Sequence, residues 1–281
     1  MRKVVAALVL AAASASAQVP RPDTSSSAVD RFTTRARQAT ERFKEIDAAV
    51  AESYVKVGPD FPAMGEHWVN GELIMRGELD PARPAILTYT RVGGKPTLTG
   101  VVYALALKRG ETPPMLPVGA GWHDHVGSID EESLLFGHDH HSDDDIRLVV
   151  MHAWIWQSNP DGAFATDNWA LPFARLGLTA PAAANPNAAR AITLLSDSGA
   201  YFAQLFSRVG ELDEGERARV ESVLRRHREE LERWWKRRAS SPQLTTEELA
   251  RLDADWNGLA RDVRETVSKD AAARLEKLTH H

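Results

Sequence analysis

The sequence predicts an α+β protein: an antiparallel β sheet or barrel-like core, preceded by an N-terminal helix and followed by a C-terminal helical hairpin or three-helix segment. Three observations carry this. Apolar residues recur at three- and four-residue steps before position 57. Between about 84 and 156 the period falls to two, and Gly93-Gly94 separates two alternating runs. Beyond position 187 the helical period returns, with acidic residues placed as capping boxes.

The chain opens with Arg2 and Lys3, an apolar run from Val4 to Ala13, and the small residues Ala15-Ser16-Ala17. Charge, short apolar core and small-residue exit make the pattern of a signal peptide over 1–17. A run this short is about half of what a spanning helix needs. Cleavage after Ala17 leaves Gln18 first, and the protein is expected to be periplasmic or secreted. No cysteine follows the apolar run to take a lipid. Residues 18–28 (QVPRPDTSSSA) read as a linker.

A helix is expected over Ser27 to Val57, with Phe32, Ala36, Ala39, Phe43, Ile46 and Val50 in register and Gly58-Pro59-Asp60 ending it. A β-rich core domain, counted with this helix, spans 29–180. Its strands are expected at Pro84 to Thr90, at Thr97 to Leu107 with Val101, Tyr103, Leu105 and Leu107 on one face, and at Ile146 to Trp156. Asn159-Pro160-Asp161-Gly162 reads as a turn. A linker at Pro181 to Pro186 leads to a helical segment over 187–281. Helices are expected from about Ala188 to Arg208, from Asp213 with Glu216 three residues on, and from Thr245 with Glu248 three residues on.

Composition narrows the functional classes. Loss of Arg2 and Lys3 takes the formal charge from −5 to −7, which disfavours nucleic acid and anionic membrane as partners. No later segment is apolar enough to cross a membrane. With no cysteine there is no disulfide and no thiolate, so metal ligands must be histidine or carboxylate. No Gly-rich phosphate loop, Gly-x-Ser-x-Gly elbow or His-Glu-x-x-His occurs, and no nucleotide is expected. Asp197 and Ser198 sit on an amphipathic pattern without an evident histidine partner.

Histidines carry the chemistry. His123 and His125 in Trp122-His123-Asp124-His125 are two apart, so an extended backbone puts both rings on one side and Asp124 on the other. His152 falls on an apolar strand face with Leu148, Val150, Trp154 and Trp156, as either a core histidine or a ligand aimed into a lined cavity. His67 stands in Met64-Gly65-Glu66-His67-Trp68-Val69-Asn70, where Gly65 suggests a tight turn. Glu66 and Glu131 are candidate general bases beside a metal-bound water, and Glu132 a further carboxylate. His138 to Asp145 reads as a solvated loop. His227, on the apolar stripe of the second C-terminal helix, reads as a core or helix–helix histidine.

The stretches Met64–Asn70, Asp80–Pro84, Leu98–Tyr103 and His152-Ala153-Trp154-Ile155-Trp156-Gln157-Ser158-Asn159-Pro160-Asp161-Gly162-Ala163-Phe164 resemble, in motifs and order, a widespread group of uncharacterised exported bacterial proteins. The resemblance covers about Glu41 to Leu178. It implies no reaction, and it picks out His67 and His152 as motif positions. Relatives carry glutamate where this chain has Ala85 and Val102.

The expected function is therefore metal binding by His67, His123, His125 and His152, with zinc or copper as the metal. Two alternatives stand beside it. One is a metal-dependent enzyme activating water. The other is a small-molecule binding module lined by Trp68, Trp122, Trp154, Trp156 and Trp169.

Overall fold

The computed structural model describes residues 26–108, 110–114, 121–124, 146–196, 212–238 and 240–273. Strands β1 (Val55–Phe61), β2 (Gly65–Val69), β3 (Ile86–Val92), β4 (Lys95–Lys108), β5 (His123–Asp124) and β6 (Ile146–Ala153) form one antiparallel sheet in the order β1-β2-β3-β4-β6-β5. The fold is thus α+β, and of the two expected forms of the core it takes the open one. β1 and β5 are its edges, and the sheet does not close into a barrel.

Helix α1 (Ser26–Thr40), a 3-10 turn (Glu41–Lys44) and α2 (Ile46–Ala51) cover one face. Phe32, Ala36, Phe43 and Tyr54 pack there against Leu87, Tyr89, Val101, Tyr103 and Met151. Three phenols tie this layer to backbone carbonyls: Tyr54 donates to Pro84, Tyr89 to Phe43 and Tyr103 to Pro81. Burial raises all three above the ordinary tyrosine value, so they stay neutral donors. The expected single helix to Val57 is wrong at its end. Ser53 takes a positive φ of 66°, which stops α2, and the chain enters β1 at Val55. Gly65 takes the tight backbone expected of it, and His67 follows on strand β2.

The hairpin of β3 and β4 turns at Gly93 and Gly94, with φ of 57° and 79°. Two successive positive φ values are what a two-residue hairpin loop demands, and only glycine takes them without strain. Opposite this loop in the strand pair the register slips. Thr88 faces Gly100 while Tyr89 faces Leu98, so Thr99 is an extra residue in β4. Its carbonyl accepts from Trp156 and Gln157 N–H, and its hydroxyl donates to the Thr88 carbonyl.

Helices α3 (Gly71–Arg76) and α4 (Leu171–Arg175) carry no long apolar period and are additions to the expected plan. Helix α5 (Pro186–Thr193) begins at the end of the expected linker, capped by Asn185. Helices α6 (Glu214–Arg237) and α7 (Thr246–Thr266) each start on the expected capping box. The C-terminal helices share one core with the β region: Leu252, Trp256, Leu259, Val220 and Ile192 cluster with Phe61, Ala63, Met64 and Phe173. The expected division near 180–187 is therefore not a break in packing.

His227 on α6 lies 2.9 Å from Asp262 on α7, as a helix–helix hydrogen bond. That bond, with Arg226 at 2.6 Å, holds the Asp262 carboxyl below the ordinary aspartate value. A depressed folded value stabilises above the unfolded pKa of about 4 and is lost as pH falls through the folded one. Asp262→Asn should therefore lower the melting temperature at pH 7 and leave a smaller loss between neutral and acid pH than the wild type shows. Equal acid sensitivity in both proteins would contradict this linkage.

Candidate functional site

The site begins with β2. Gly65 has φ of 80°, and a Cβ there would stand 2.3 Å from the Tyr89 carbonyl oxygen. No other residue fits this turn, and from it the strand runs Glu66-His67-Trp68 with alternating faces. Asn70 closes the motif by capping α3 through Leu73 N–H and by donating to the Glu52 carbonyl.

His67 is held on the sheet face opposite α1. It sits opposite Thr88 on β3, which sits opposite Gly100 on β4. His152 on β6 sits opposite Val102, on the same face. Two strands separate β2 from β6, which in a flat sheet is about 14 Å of backbone. Yet the His67 and His152 ring centres are 5.9 Å apart. The two side chains therefore lean toward each other across β3 and β4, where Thr88 and the side-chain-less Gly100 stand on the same face. A Cβ on Gly100 would lie 2.9 Å from the Ala153 carbonyl and 3.1 Å from both Thr88 Oγ1 and Trp154 Cε3. His67 and His152 are each only 2% exposed.

His123 arrives from the far edge on β5, opposite Val150, and its ring centre lies 5.4 Å from that of His152. Its Nδ1 is 3.2 Å from the Gly121 carbonyl. A carbonyl only accepts, so Nδ1 is the donor in this contact. Trp154 completes the row, 5.6 Å from His152 and within 6° of parallel. It is held at both ends, backbone N–H to Ala163 and indole N–H to Ala165, each at 2.7 Å. Phe61 abuts His67 edge-on at 5.7 Å.

The structure thus brings together His67, His123 and His152, three of the four histidines expected at one site. His125, Glu131, Glu132 and the 138–145 loop lie outside the described residues, as do Asp197 and Ser198. The row runs His67, His152, His123. The last two rings are 15° from parallel and His67 is turned 76° to His152. Among the described residues no group of three histidine or carboxylate side chains stands ready-made around a point where a metal would sit.

Two expectations are corrected. Glu66 is on the opposite face of β2 from His67, where Lys56 at 2.9 Å and Arg91 at 3.5 Å pair with it. It is not placed to act as a base on anything bound between the imidazoles. The tryptophans do not share a wall. Trp68, Trp122 and Trp156 belong to the α1 face, and Trp169 lies in the helical core. Strand β6 ends at Ala153, and the chain then bends toward the Thr99 carbonyl. Trp156 is thereby carried to the face away from His152, where its indole donates to Thr40 Oγ1.

One residue escaped the sequence reading. Arg175 on α4 is buried, with its side chain 3% exposed. It donates to Thr90 Oγ1, to the carbonyls of Phe61 and Pro62, and to Asp60 Oδ1, at 2.6 to 2.7 Å. Its guanidinium closes the turn between β1 and β2 from which His67 follows. Nothing in Leu171-Pro172-Phe173-Ala174-Arg175 signals this role; only Asp60, in a turn otherwise without charge, hints at a buried partner.

Arg175→Met should destabilise the protein by about 3 kcal/mol, since two carbonyls and a carboxylate lose their donor. Chemical denaturation checks it, and a change under 1 kcal/mol, about the median for an exposed pair, would show the hub to be dispensable. Gly100→Ala should cost about 1–3 kcal/mol through overpacking and displace Trp154 from His152. Near-ultraviolet circular dichroism reads that displacement, and an unaltered spectrum at wild-type stability would contradict it.

No family model, curated protein or solved structure matches this chain.

Proposed function

We propose that this is an exported metal-binding protein whose site is formed by His67, His123 and His152 and takes zinc or copper. The observation supporting it is that the His152 ring has the His67 ring 5.9 Å away and the His123 ring 5.4 Å away, centre to centre. Neutral nitrogen donors without thiolate suit these two metals. His67 and His152 are the rigid pair, each on a strand paired on both sides. Capture of an ion requires the row to become a cluster, and His123, half-buried on an edge strand, is the most exposed of the three rings. Export rests on the leader pattern at 1–17.

The enzymatic alternative is weakened because Glu66 faces away. The small-molecule alternative keeps one specific support, the flat stack of His123, His152 and Trp154, which suits a planar ligand as well as an ion.

Mature protein loaded with Zn²⁺ or Cu²⁺ and then desalted should retain about one ion per chain by elemental analysis, the count expected of one closed site. His67→Ala and His152→Ala should each abolish retention while the fold persists by circular dichroism. Full occupancy in the double variant would place the metal elsewhere. A metal-free wild type would leave the planar-ligand reading.

A further inference from the structure

Two of the three imidazoles are fixed by the sheet interior, but His123 is not. Strand β5 has two residues, and its ladder with β6 consists of the pairs His123 with Val150 and Asp124 with Val149. Two pairs at a sheet edge bury little and hold weakly. Next to His123, on the opposite face, Asp124 accepts from Arg147 Nη1 through both carboxylate oxygens, at 2.6 and 2.8 Å. Arg147 is on β6, and its Nη2 donates to the Glu111 carbonyl. Glu111 is itself tied to the end of β4, its carboxylate accepting from Lys108 N–H at 2.9 Å. One guanidinium therefore joins β6, the β4 exit loop and β5.

We propose that Arg147 is a positioning residue: by gripping Asp124 it holds the short strand β5 in register and so keeps the His123 ring stacked over His152. The pair is partly exposed, 23% for Arg147 and 45% for Asp124, so it adds little to global stability. What it supplies is local order. Without it β5 keeps, among the described residues, its two ladder pairs and the anchorage of Trp122, and alternation turns any loosening of Asp124 into motion of the adjacent imidazole. The proposal rests on the reading of the histidines as one site, but its central measurement does not.

That measurement is acylation of individual histidines by diethyl pyrocarbonate in the mature protein, followed by peptide mass spectrometry. Arg147→Gln should raise the acylation rate of His123 roughly fivefold or more, as expected when a charge-assisted pair is lost. His67 and His152 should stay as slow as in the wild type, with the melting temperature unchanged. The charge-swapped pair Asp124→Arg with Arg147→Asp should return His123 toward the wild-type rate, which a merely structural arginine would not require. In a Zn²⁺ titration, Arg147→Gln should weaken binding about tenfold while His67→Ala abolishes it. An unchanged His123 rate in Arg147→Gln overturns the positioning role. A faster His123 in a protein that binds no Zn²⁺ sustains that role and removes the metal reading alone.

Discussion

The guanidinium of Arg175 is the constraint on which the site depends. It is buried at the junction of three pieces: the β1–β2 turn, the end of β3 and helix α4. A cation in that position is costly unless every donor is used, and its partners include two main-chain carbonyls, a hydroxyl and one carboxylate. Those bonds set the path of Phe61 and Pro62. Three residues later Gly65 passes so close to the Tyr89 carbonyl that a methyl would not fit. His67 inherits its place from this sequence of fixed points.

The sheet then brings rings from non-adjacent strands together. The extra residue Thr99 interrupts the β4 register beside Gly100, where the Ala153 carbonyl, Thr88 and Trp154 close in too tightly for any side chain, and both hydroxyls of the Thr88–Thr99 pair are satisfied there. The lean of the two imidazoles and the missing side chain together let rings on β2 and β6 meet across two intervening strands. The opposite face carries the large residues, Tyr89, Tyr103 and Leu87, under α1.

Local signals in the sequence carried most of the outline. Asp213 with Glu216 and Thr245 with Glu248 mark helix starts because the partner donors are three residues away. Gly93-Gly94 marks a hairpin because its backbone angles are nearly exclusive to glycine. His152 was legible as a ring on an apolar face, and His123 as a ring opposed to Asp124. What could not be read was set by distant chain. Ser53 ends a helix whose apolar period would have continued. Glu66 lies beside His67 in sequence yet faces two cations on the other side of the sheet. Trp156 shares the strand parity of His152 but not its face, because the strand stops at Ala153 to meet Thr99. Arg175 gave no sign at all, since each of its acceptors is at least 85 residues away.

Trp154 is fixed by its main chain and by its indole, and its ring lies flat against His152. An indole in van der Waals range of an imidazole reports the electronic state of that imidazole through its emission. The protein therefore carries an intrinsic optical probe beside His152, the middle ring of the histidine row. Trp156, two residues on, and Trp122 face the other layer, so replacing both by phenylalanine removes two of the seven other tryptophans without touching the histidine face.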